Sequence, residues 1–330
     1  MVKVAVVGAT GLVGRKMIEL LEKKKIQIDE LVLFSSNKSA GTELSFQNHV
    51  LIVEELTEER TNEGFDYVLM SAGGSTSLKF SPLFEKNGSI VIDNSSAYRM
   101  DPQIDLIVPE VNQPALVRKI IANPNCSTIQ SVIPLKILEE AYGISRVSYT
   151  TYQSVSGSGV KGIEDLKRGA HGEEPLNYPH PIYNNALPHI DVFEENGYTK
   201  EEVKMIKETQ KILGLPELKV TATCVRIPVE NSHAVAMNVT LNSNPTVEEV
   251  KQLFDASKVV VLQDNPTNNE YPMQLTSSGK EEVFVGRIRK DDSMENTYHI
   301  WVTSDNLLKG AALNAVQIMQ QIMIMKRNEG

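Results

Sequence analysis

The sequence has little of what marks several large classes of protein. It contains two cysteines in 330 residues, too few for a disulfide framework, and no close group of four Cys or His residues that would hold structural zinc. No apolar run reaches the roughly 18 residues that a membrane helix needs, and the N-terminus lacks a basic segment followed by a long apolar one. We therefore expect no metal centre and no membrane span, and a reducing cytoplasm as the compartment.

An excess of basic charge is also missing, and the run of lysines at residues 23–25 is interpreted as a solvated helix end. Asp and Glu outnumber Lys and Arg by 42 to 33, and the formal net charge is -9. Because nucleic-acid binding relies on patches of Lys and Arg that neutralise phosphates, we expect no nucleic-acid partner. The composition is otherwise ordinary for a globular protein, and the length exceeds what one core usually serves, so two domains are predicted.

The N-terminal half alternates short apolar strands with helical segments. Residues 2–7 are nearly all apolar, as in a strand buried on both faces, and a helical pattern follows over residues 12–24. Further strands are predicted at residues 31–34, 67–70 and 90–93. This alternation predicts a Rossmann-type, doubly wound α/β domain.

The pattern changes near residue 145. Alternating, β-branched stretches at residues 147–152, 219–227, 234–241, 283–289 and 298–302 predict a largely antiparallel sheet with one solvated face. The proline-rich segment 171–190 predicts a long loop. A last helix is predicted over residues 305–326, with Asp305 as its N-cap.

Three glycines stand between the first strand and the first helix. Gly8, Gly11 and Gly14 are spaced G-x-x-G-x-x-G. Without side chains, this backbone can turn tightly and approach a pyrophosphate, while the helix N-terminus offers amide donors and a positive dipole end. The spacing predicts a dinucleotide site, although a plain strand-to-helix turn would also explain it.

The end of the second predicted strand indicates which dinucleotide. Sites for NAD usually place an Asp or Glu there, which binds the ribose hydroxyls. Residues 35–39 read Ser-Ser-Asn-Lys-Ser instead, and Ser36, Lys38 and Ser39 suit a 2′-phosphate. We therefore expect NADP as the cofactor. The alternative is that Lys38 is an ordinary surface lysine.

Cys126 is the candidate nucleophile. An apolar, helix-compatible run at residues 129–138 begins just after it, so its thiol is expected at a helix N-terminus, a position that stabilises a thiolate. Cys224 falls inside an alternating strand pattern. We interpret it as a small buried residue, which is the commoner state of a lone cysteine.

Thiolate chemistry on an aldehyde would need further groups. Attack gives a thiohemiacetal, and hydride transfer to nicotinamide then leaves a thioester, which requires a base and donors for an oxyanion. His233 is the candidate base, and Arg226 could bind a substrate carboxylate through two hydrogen bonds. An isolated histidine is more often structural or exposed, so position alone leaves that alternative open.

A series of motifs through nearly the whole chain resembles the bacterial aspartate-semialdehyde dehydrogenases. They lie at residues 8–14 (GATGLVG), 39–41 (SAG), 93–99 (DNSSAYR), 108–112 (VPEVN), 123–128 (NPNCST), 153–157 (QSVSG), 208–211 (ETQK) and 224–228 (CVRIP). The resemblance implies an NADP-dependent, phosphorylating aldehyde dehydrogenase. L-aspartate 4-semialdehyde, phosphate and NADP would interconvert with 4-phospho-L-aspartate and NADPH. The reductive direction would feed lysine (through diaminopimelate), threonine, methionine and isoleucine synthesis.

The resemblance also implies a role for each matching residue. Cys126 would form the acyl thioester, His233 would be the acid/base, and Gln153 would orient the thioester. Arg226 would bind the substrate carboxylate and Glu208 its amino group. The transferred phosphate would be held by Arg99 and Lys211. Contacts with the cofactor would come from Thr10, Gly11, Leu12, Val13, Lys38, Ser39, Ser156, Gly157 and Asn314.

The expected domain organisation follows from the same resemblance. The nucleotide domain would comprise residues 1–127 plus 309–330. Residues 128–308 would form an α+β catalytic and dimerisation domain with a mainly antiparallel sheet. The partners would be the small-molecule substrate, inorganic phosphate and further copies of the chain, as a homodimer or homotetramer.

Three alternatives remain open. N-acetyl-glutamyl-phosphate reductase shares the two-domain plan, the glycine loop, the cysteine and the histidine, but its acylated nitrogen would give Glu208 no ammonium to bind. A glyceraldehyde-phosphate type dehydrogenase has a different cysteine segment. It also usually has an NAD-binding acid after the second strand, which this sequence lacks. A non-catalytic NADP-binding relative should have lost Cys126 or His233, and both are present.

Overall fold

The computed structural model describes residues 1–329. The chain forms two compact units, which we call unit 1 and unit 2. Unit 1 contains Met1–Pro124 and the chain from Ala311 onward, and unit 2 contains Asn125–Gly310. The expected domain bounds lie within a few residues of these limits. No helix within residues 1–329 is long and apolar enough to cross a membrane.

Unit 1 is built on a seven-stranded sheet in the order β5-β2-β1-β6-β7-β9-β8. All its neighbouring strands are parallel, which confirms the Rossmann-type, doubly wound prediction. A separate antiparallel hairpin joins β3 to β4. The strands are β1 (Lys3–Val7), β2 (Glu30–Ser35), β3 (Glu43–Phe46), β4 (His49–Ile52), β5 (Glu54–Glu55), β6 (Tyr67–Met70), β7 (Ile90–Asp93), β8 (Asp105–Leu106) and β9 (Ile120–Ala122).

Helices cover the sheet of unit 1. They are α1 (Leu12–Lys23), α2 (Gly74–Lys86) and the C-terminal α8 (Leu313–Glu329). The predicted apolar face of α1 is confirmed, because Met17, Leu20 and Leu21 are all buried. Each such side chain contributes roughly 1.5–3 kcal/mol when it is fully buried. Helix α8 packs against α1, β6 and β7.

The last helix begins later than predicted. Residues Leu308–Ala312 form a π-helical turn, and regular α-helix starts only at Leu313. Asp305 nevertheless acts as the expected cap, because its Oδ1 accepts the main-chain N–H groups of Leu307 and Leu308 at 2.9 and 3.0 Å. Such π turns are rare and often lie at functional sites.

Unit 2 contains a six-stranded sheet in the order β11-β10-β12-β15-β14-β13. Its helices are α3 (Cys126–Tyr142), α4 (Val160–Ala170), α5 (Lys200–Leu213), α6 (Val247–Asp255) and α7 (Gln274–Ser277). Its strands are β10 (Ile144–Gln153), β11 (Lys219–Arg226), β12 (His233–Leu241), β13 (Val261–Leu262), β14 (Phe284–Lys290) and β15 (Thr297–Ser304).

This sheet is mixed, with an antiparallel centre. Strands β10, β12, β15 and β14 pair antiparallel, whereas β11 runs parallel to β10 and β13 runs parallel to β14. Alternation in a sequence shows that one face of a strand is buried but does not give its direction. Parallel neighbours need a long crossover, and here helices α4 and α5 with the loop between them connect β10 to β11.

Candidate active site

Three of the predicted site residues meet at one edge of the unit 2 sheet. Parallel strands β10 and β11 end side by side, and their register pairs Gln153 with Arg226. Strand β12 runs the other way and begins at His233, one residue before the pair Tyr152–Ala234. The side chains of all three are at least nine-tenths buried. The topology therefore gathers residues that lie up to 80 positions apart.

Cys126 is the first residue of α3, as predicted, and its side chain is partly exposed. Asn125 caps the helix, because its Oδ1 accepts from the N–H groups of Ser127 and Thr128 at 2.9 and 3.3 Å. The thiol consequently lies at the positive end of the helix dipole, where an anion is favoured.

Two close contacts fix the first turn of α3. A Cβ atom at Gly310 would lie 2.9 Å from the Cys126 Cβ, so only glycine fits there. One turn further along α3, Gln130 donates from Nε2 to the main-chain oxygen of His233 at 3.3 Å. This bond ties the helix of the cysteine to the start of β12. The sequence pattern indicated neither residue.

A buried carboxylate that the sequence analysis missed lies at the centre of this cluster. The Glu201 Oε1 accepts from Asn125 Nδ2 at 2.8 Å and from Gln153 Nε2 at 3.2 Å. Burial opposes ionisation of Glu201, but Lys204, the Asn125 amide and the charge of Arg226 together hold its pKa below the usual value. Lys204 Nζ lies 3.1 Å from Glu201 Oε2.

Glu208 and Lys211, the residues chosen from the motif, lie further along the same helix. The Glu208 side chain is buried, and its Oε2 accepts the main-chain N–H of Asn125 at 2.6 Å. Helix α5 carries Glu-x-x-Lys twice, with the copies seven residues apart. Seven residues are about two turns, or about 10.5 Å, so both pairs lie on one face of the helix. Sequence spacing alone could not distinguish them.

His233 is fully buried and neutral. Its Nδ1 accepts the main-chain N–H of Ser154 at 3.1 Å. Burial and the nearby Arg226 charge lower the pKa of His233 from 6.5 to about 3. Its Nε2 has no hydrogen-bond partner among residues 1–329.

Arg226 is held in a similar way. Its Nη1 donates to the main-chain oxygen of Ser154 at 2.6 Å, while its buried Nε has no partner in the part of the chain that the structure describes. A Cβ atom at Gly157 would lie 2.9 Å from Arg226 Nη1 and 3.2 Å from His233 Nε2. Buried donors are costly unless they are paired. Arg226 Nε and His233 Nε2 are therefore suited to bind the oxygen atoms of a ligand.

Cys224 is not a second nucleophile. It is fully buried in β11, as its alternating pattern predicted. Burial, with the negative charge of Glu201 nearby, raises the pKa of its thiol far above the usual value. Cys126 is thus the cysteine whose surroundings favour reaction.

The glycine loop of unit 1 has the geometry that a dinucleotide needs. Gly8 has φ +81°, and a Cβ there would lie 2.3 Å from the main-chain oxygen of Ser71. A Cβ at Gly14 would lie 2.2 Å from the oxygen of Gly8, so strand and helix approach closely. Gly11 is exposed and is the N-cap of α1, with no side chain to cover the first-turn N–H groups. Those donors include Leu12 and Val13, beside the predicted contact Thr10.

The turn after β2 presents the residues expected for a 2′-phosphate. Lys38 and Ser39 form a short 3-10 turn, and Ser36, its N-cap residue, is exposed as Lys38 is. The structure also brings a carboxylate to this turn, because Glu55 accepts a hydrogen bond from Asn37 Nδ2 at 2.9 Å. Glu55 is on β5, which pairs with the end of β2. Local sequence could not indicate that approach.

Three further predicted residues are held by defined partners. In unit 1, Arg99 donates to the main-chain oxygens of Asn123 and Asn94 at 2.9 and 2.8 Å. Asn314 Nδ2, also in unit 1, donates to Ile107 O and Asn123 Oδ1 at 2.9 and 2.7 Å. In unit 2, Ser156 lies in the 3-10 turn after β10 and contacts Asn306. These contacts do not test the predicted roles in ligand binding.

Comparison with known proteins first gives the class. Residues 3–119 match the family model of the semialdehyde dehydrogenase NAD-binding domain, and residues 135–309 match that of the semialdehyde dehydrogenase dimerisation domain. Together the two models cover most of the chain. The nucleotide fold and the cysteine site thus define a semialdehyde dehydrogenase.

Full-length relatives then narrow the class. The aspartate-semialdehyde dehydrogenase of Aquifex aeolicus is 48% identical over 97% of this chain and 98% of its own, and that of Bacillus subtilis is 46% identical over 97% and 96%. The chain belongs to the aspartate-semialdehyde dehydrogenase family.

Solved structures agree with this assignment. The crystal structure of aspartate semialdehyde dehydrogenase II complexed with ASA from Vibrio cholerae has a TM-score of 0.94, with 40% identity over 98% of both chains. The structure of the Candida albicans enzyme with NADP has a TM-score of 0.76 and 27% identity, and covers 98% of this chain and 99% of that one.

Proposed function

We propose that this protein is an NADPH-dependent aspartate-semialdehyde dehydrogenase. It would reduce 4-phospho-L-aspartate to L-aspartate 4-semialdehyde and release phosphate, through a thioester on Cys126. The observation that carries the proposal is the unit 2 cluster. There, hydrogen bonds connect Asn125, the N-cap of helix α3, to Glu201 and Glu201 to Gln153. Gln130 of the same helix donates a hydrogen bond to the backbone of His233. The product would feed lysine, threonine, methionine and isoleucine synthesis.

The residues of unit 2 would divide the chemistry among them. The Cys126 sulfur bonds to the acyl carbon, and phosphate leaves with the electron pair of the broken C–O bond. The buried donors of His233 and Arg226 would then serve different oxygens, the reacting carbonyl and the substrate carboxylate. Gln153 would orient the thioester, since its amide is already fixed by Glu201. Donors placed in advance stabilise developing charge without reorganisation.

Unit 1 would hold the cofactor. The contacts would come from Gly8, Thr10, Gly11, Leu12, Val13 and Gly14, with Ser36, Lys38 and Ser39 at the 2′-phosphate. When bound, NADPH supplies the hydride that reduces the thioester. The fit rests on the collisions that side chains at Gly8 and Gly14 would cause, and on the uncapped N-terminus of α1. The further cofactor contacts carried over by motif are Ser156, Gly157 and Asn314.

Either of two carboxylates, Glu201 or Glu208, could bind the ammonium group of the substrate. The ammonium and carboxylate groups of aspartate derivatives share one carbon, so their binding residues must be neighbours. The negative charge of Glu201 interacts with Arg226, whereas Glu208 is bound to the backbone of Asn125. The contacts therefore favour Glu201 as the ammonium ligand, with Glu208 supporting the cysteine segment. Lys204, which pairs with Glu201 and Asp191, joins Lys211 as a candidate phosphate ligand of unit 2. Arg99 is the candidate in unit 1.

Two matched variants distinguish these carboxylates. We expect Glu201→Gln to raise the KM for the semialdehyde by at least about 10-fold, because one charged hydrogen bond contributes about 1.5–3 kcal/mol. Glu208→Gln should leave that KM within a few fold of wild type. Steady-state kinetics at saturating phosphate and NADP measures both. The reverse pattern would return the ammonium to Glu208.

The activity itself is tested by NADPH formation. Purified protein is given L-aspartate 4-semialdehyde with and without phosphate, and separately N-acetylglutamate 5-semialdehyde. We expect phosphate-dependent reduction of NADP with the first aldehyde only. Activity with the second alone would favour N-acetyl-glutamyl-phosphate reductase. Inactivity with both, in folded protein that still binds NADP, would favour a non-catalytic relative.

We propose that two copies of the chain associate through a surface of unit 2. A groove there is lined by apolar and aromatic side chains, including Tyr271, Met273 and Trp301. Leu275, on the adjoining α7, is exposed by 85%. Exposed apolar surface of this kind marks interaction sites. Because this region matches a dimerisation domain, we propose that a second copy covers it.

A further inference from the structure

One edge of the His233 ring faces Ser154, whose backbone fixes the state of that edge. The main-chain N–H of Ser154 lies 3.1 Å from His233 Nδ1 in hydrogen-bonding geometry, and the Ser154 hydroxyl oxygen lies 3.0 Å from the same atom. A main-chain N–H can only donate. Nδ1 is therefore an acceptor, and the neutral ring must carry its hydrogen on Nε2.

The Ser154 hydroxyl belongs to a network whose directions are also determined. Asn306 Oδ1 accepts the main-chain N–H of Ser232 at 2.9 Å, which fixes the orientation of the amide. Its Nδ2 donates to Ser156 Oγ at 3.0 Å, and its Oδ1 lies 3.1 Å from Ser154 Oγ. The amide thus holds the Ser156 hydroxyl by a hydrogen bond and lies directly behind the Ser154 hydroxyl. Every member of this group is at least nine-tenths buried.

A carboxylate fixes the far end of the network. Asp305 Oδ2 accepts from Asn231 Nδ2 at 2.7 Å, which turns Asn231 Oδ1 toward Ser156. Ser156 Oγ then donates to that oxygen at 3.1 Å. The Ser156 hydrogen is accordingly used. Because Asn306 Oδ1 already accepts from Ser232, the single hydrogen of the Ser154 hydroxyl is free to donate to His233 Nδ1, as a second donor beside the main-chain N–H. Fully connected buried networks of this kind hold side chains in one arrangement.

The opposite edge of the ring carries Nε2. Nε2 has no partner among residues 1–329, and Gly157 leaves that edge free of side-chain atoms. The charged group acting on the imidazole is Arg226, on β11, while α3 contributes the neutral Gln130 at the backbone of His233. Asp305 reaches the ring only through the two amides and the serines. The surroundings therefore favour the neutral ring.

We infer that Ser154 and Asn306 are positioning residues that hold His233 as the Nε2–H tautomer. In this form the histidine first acts as a hydrogen-bond donor to the carbonyl oxygen. When the Cys126 thiolate adds to the acyl carbon, the C=O electron pair moves to oxygen, and the oxyanion accepts the Nε2–H hydrogen bond. The electron pair then returns to re-form the C=O bond as the C–O bond to phosphate breaks. The ring keeps its proton, and the departing phosphate takes one from solvent. This inference rests on the proposed thioester chemistry.

The tautomer can be measured without any substrate. The full-length protein is labelled with ¹⁵N in its histidine side chains, and the two ring nitrogens of His233 are assigned by their loss in His233→Gln. At neutral pH we expect an unprotonated Nδ1 and a protonated Nε2. A protonated Nδ1, alone or in an imidazolium, would overturn the inference. Because no aldehyde is involved, this result stands whether or not the proposed activity is right.

Kinetics tests the positioning role. Ser154→Ala removes the hydroxyl and keeps the main-chain donor, and we expect kcat to fall by about 10-fold or more with little change in the KM for the aldehyde. Its histidine ¹⁵N signals should shift only part of the way toward those of a tautomer mixture, because one of the two donors to Nδ1 is lost and the main-chain N–H remains. The control is Ser81→Ala, another buried serine, whose hydroxyl lies 3.0 Å from that of Ser77 on helix α2. An unchanged kcat and unchanged ¹⁵N signals in Ser154→Ala would remove Ser154 from this role.

Discussion

At the scale of single residues, this site is defined by groups that the fold buries without a protein partner. His233 Nε2 and Arg226 Nε are both unpaired among residues 1–329, and both belong to side chains at least nine-tenths buried. Leaving a buried donor unsatisfied costs about 1–3 kcal/mol. Such a cost is offset where a ligand provides the missing acceptor, and we propose that the substrate binds at these two atoms.

The two cysteines offer a matched pair for testing the nucleophile. We expect Cys126→Ala to lower turnover by roughly 10³-fold or more, because no other residue can form the thioester. NADP binding should survive, since the glycine loop belongs to unit 1. Turnover and NADP titration measure the two effects. Cys224→Ala, at the buried cysteine, should remain active, and a variant of Cys126 that kept normal turnover would refute the assignment.

At the scale of elements, two helices determine the surroundings of Cys126. Helix α3 provides the N-terminus, and α5 provides the carboxylates that hold its cap residue from both ends. Asn125 therefore does two things, because it caps the helix and connects Cys126 to Glu201. The sequence predicted the helix start but gave no sign that α5 would support it.

The cap can be tested against an equivalent cap elsewhere. Asn125→Ala and Thr246→Ala each remove an N-cap, of α3 and α6 respectively. Both should lower the free energy of unfolding by about 0.5–2 kcal/mol in urea titrations. Only Asn125→Ala should also lower kcat/KM for the semialdehyde, because α6 has no part in the site. Equal losses of activity in both variants would mean that the effect is one of stability alone.

At the scale of the whole molecule, burial of His233 links stability to pH. The pKa of this group falls from 6.5 in the unfolded chain to about 3 in the fold. Between these values the unfolded chain binds the extra proton, so acid favours unfolding. The contribution is complete above about pH 6.5 and is lost as pH falls toward 3. Glu201, whose pKa is also lowered, adds a loss of the same sign below its ordinary range.

Urea unfolding at pH 7.5 and 5.5 tests this linkage. Over that interval, wild type should lose about 1.4 kcal/mol more stability than His233→Gln, the equivalent of one pKa unit. His180→Gln, at an exposed histidine, should behave like wild type. Identical pH dependence in wild type and His233→Gln would contradict the neutral, buried histidine.

Association of two chains is the second property at this scale. If a second copy covers the unit 2 groove, sedimentation should give a mass near twice 36.6 kDa. Leu275→Glu should shift the protein toward the monomer, because a charge would be buried at the contact. The control is Leu78→Glu on α2, exposed by 58%, which should leave the mass unchanged. A wild-type monomer would exclude the proposed contact.

Local sequence determined the main elements and two of the candidate sites, the glycine loop and Cys126. Apolar runs and glycine spacing predicted the strands of unit 1 and the dinucleotide loop, because a buried parallel strand and a tight turn each need particular side chains at adjacent positions. Cys126 was predicted for the same reason, since a helix start can be recognised from its neighbours. Residue chemistry suggested His233 and Arg226 as candidates. The resemblance to a family added Gln153, Glu208, Arg99 and Lys211.

Tertiary structure decided what lies around those residues. Glu201, Gly310, Ser154 and Asn306 act through contacts between segments far apart in the chain, and no local pattern encodes such contacts. The clearest case is α5, where two identical Glu-x-x-Lys pairs share one helix face. Only the packing of α5 against the cysteine segment shows that Glu201 reaches Gln153 while Glu208 holds the backbone of Asn125. Sequence fixes which side chains a helix face presents, but the position of each along that face relative to its neighbours is set by the fold.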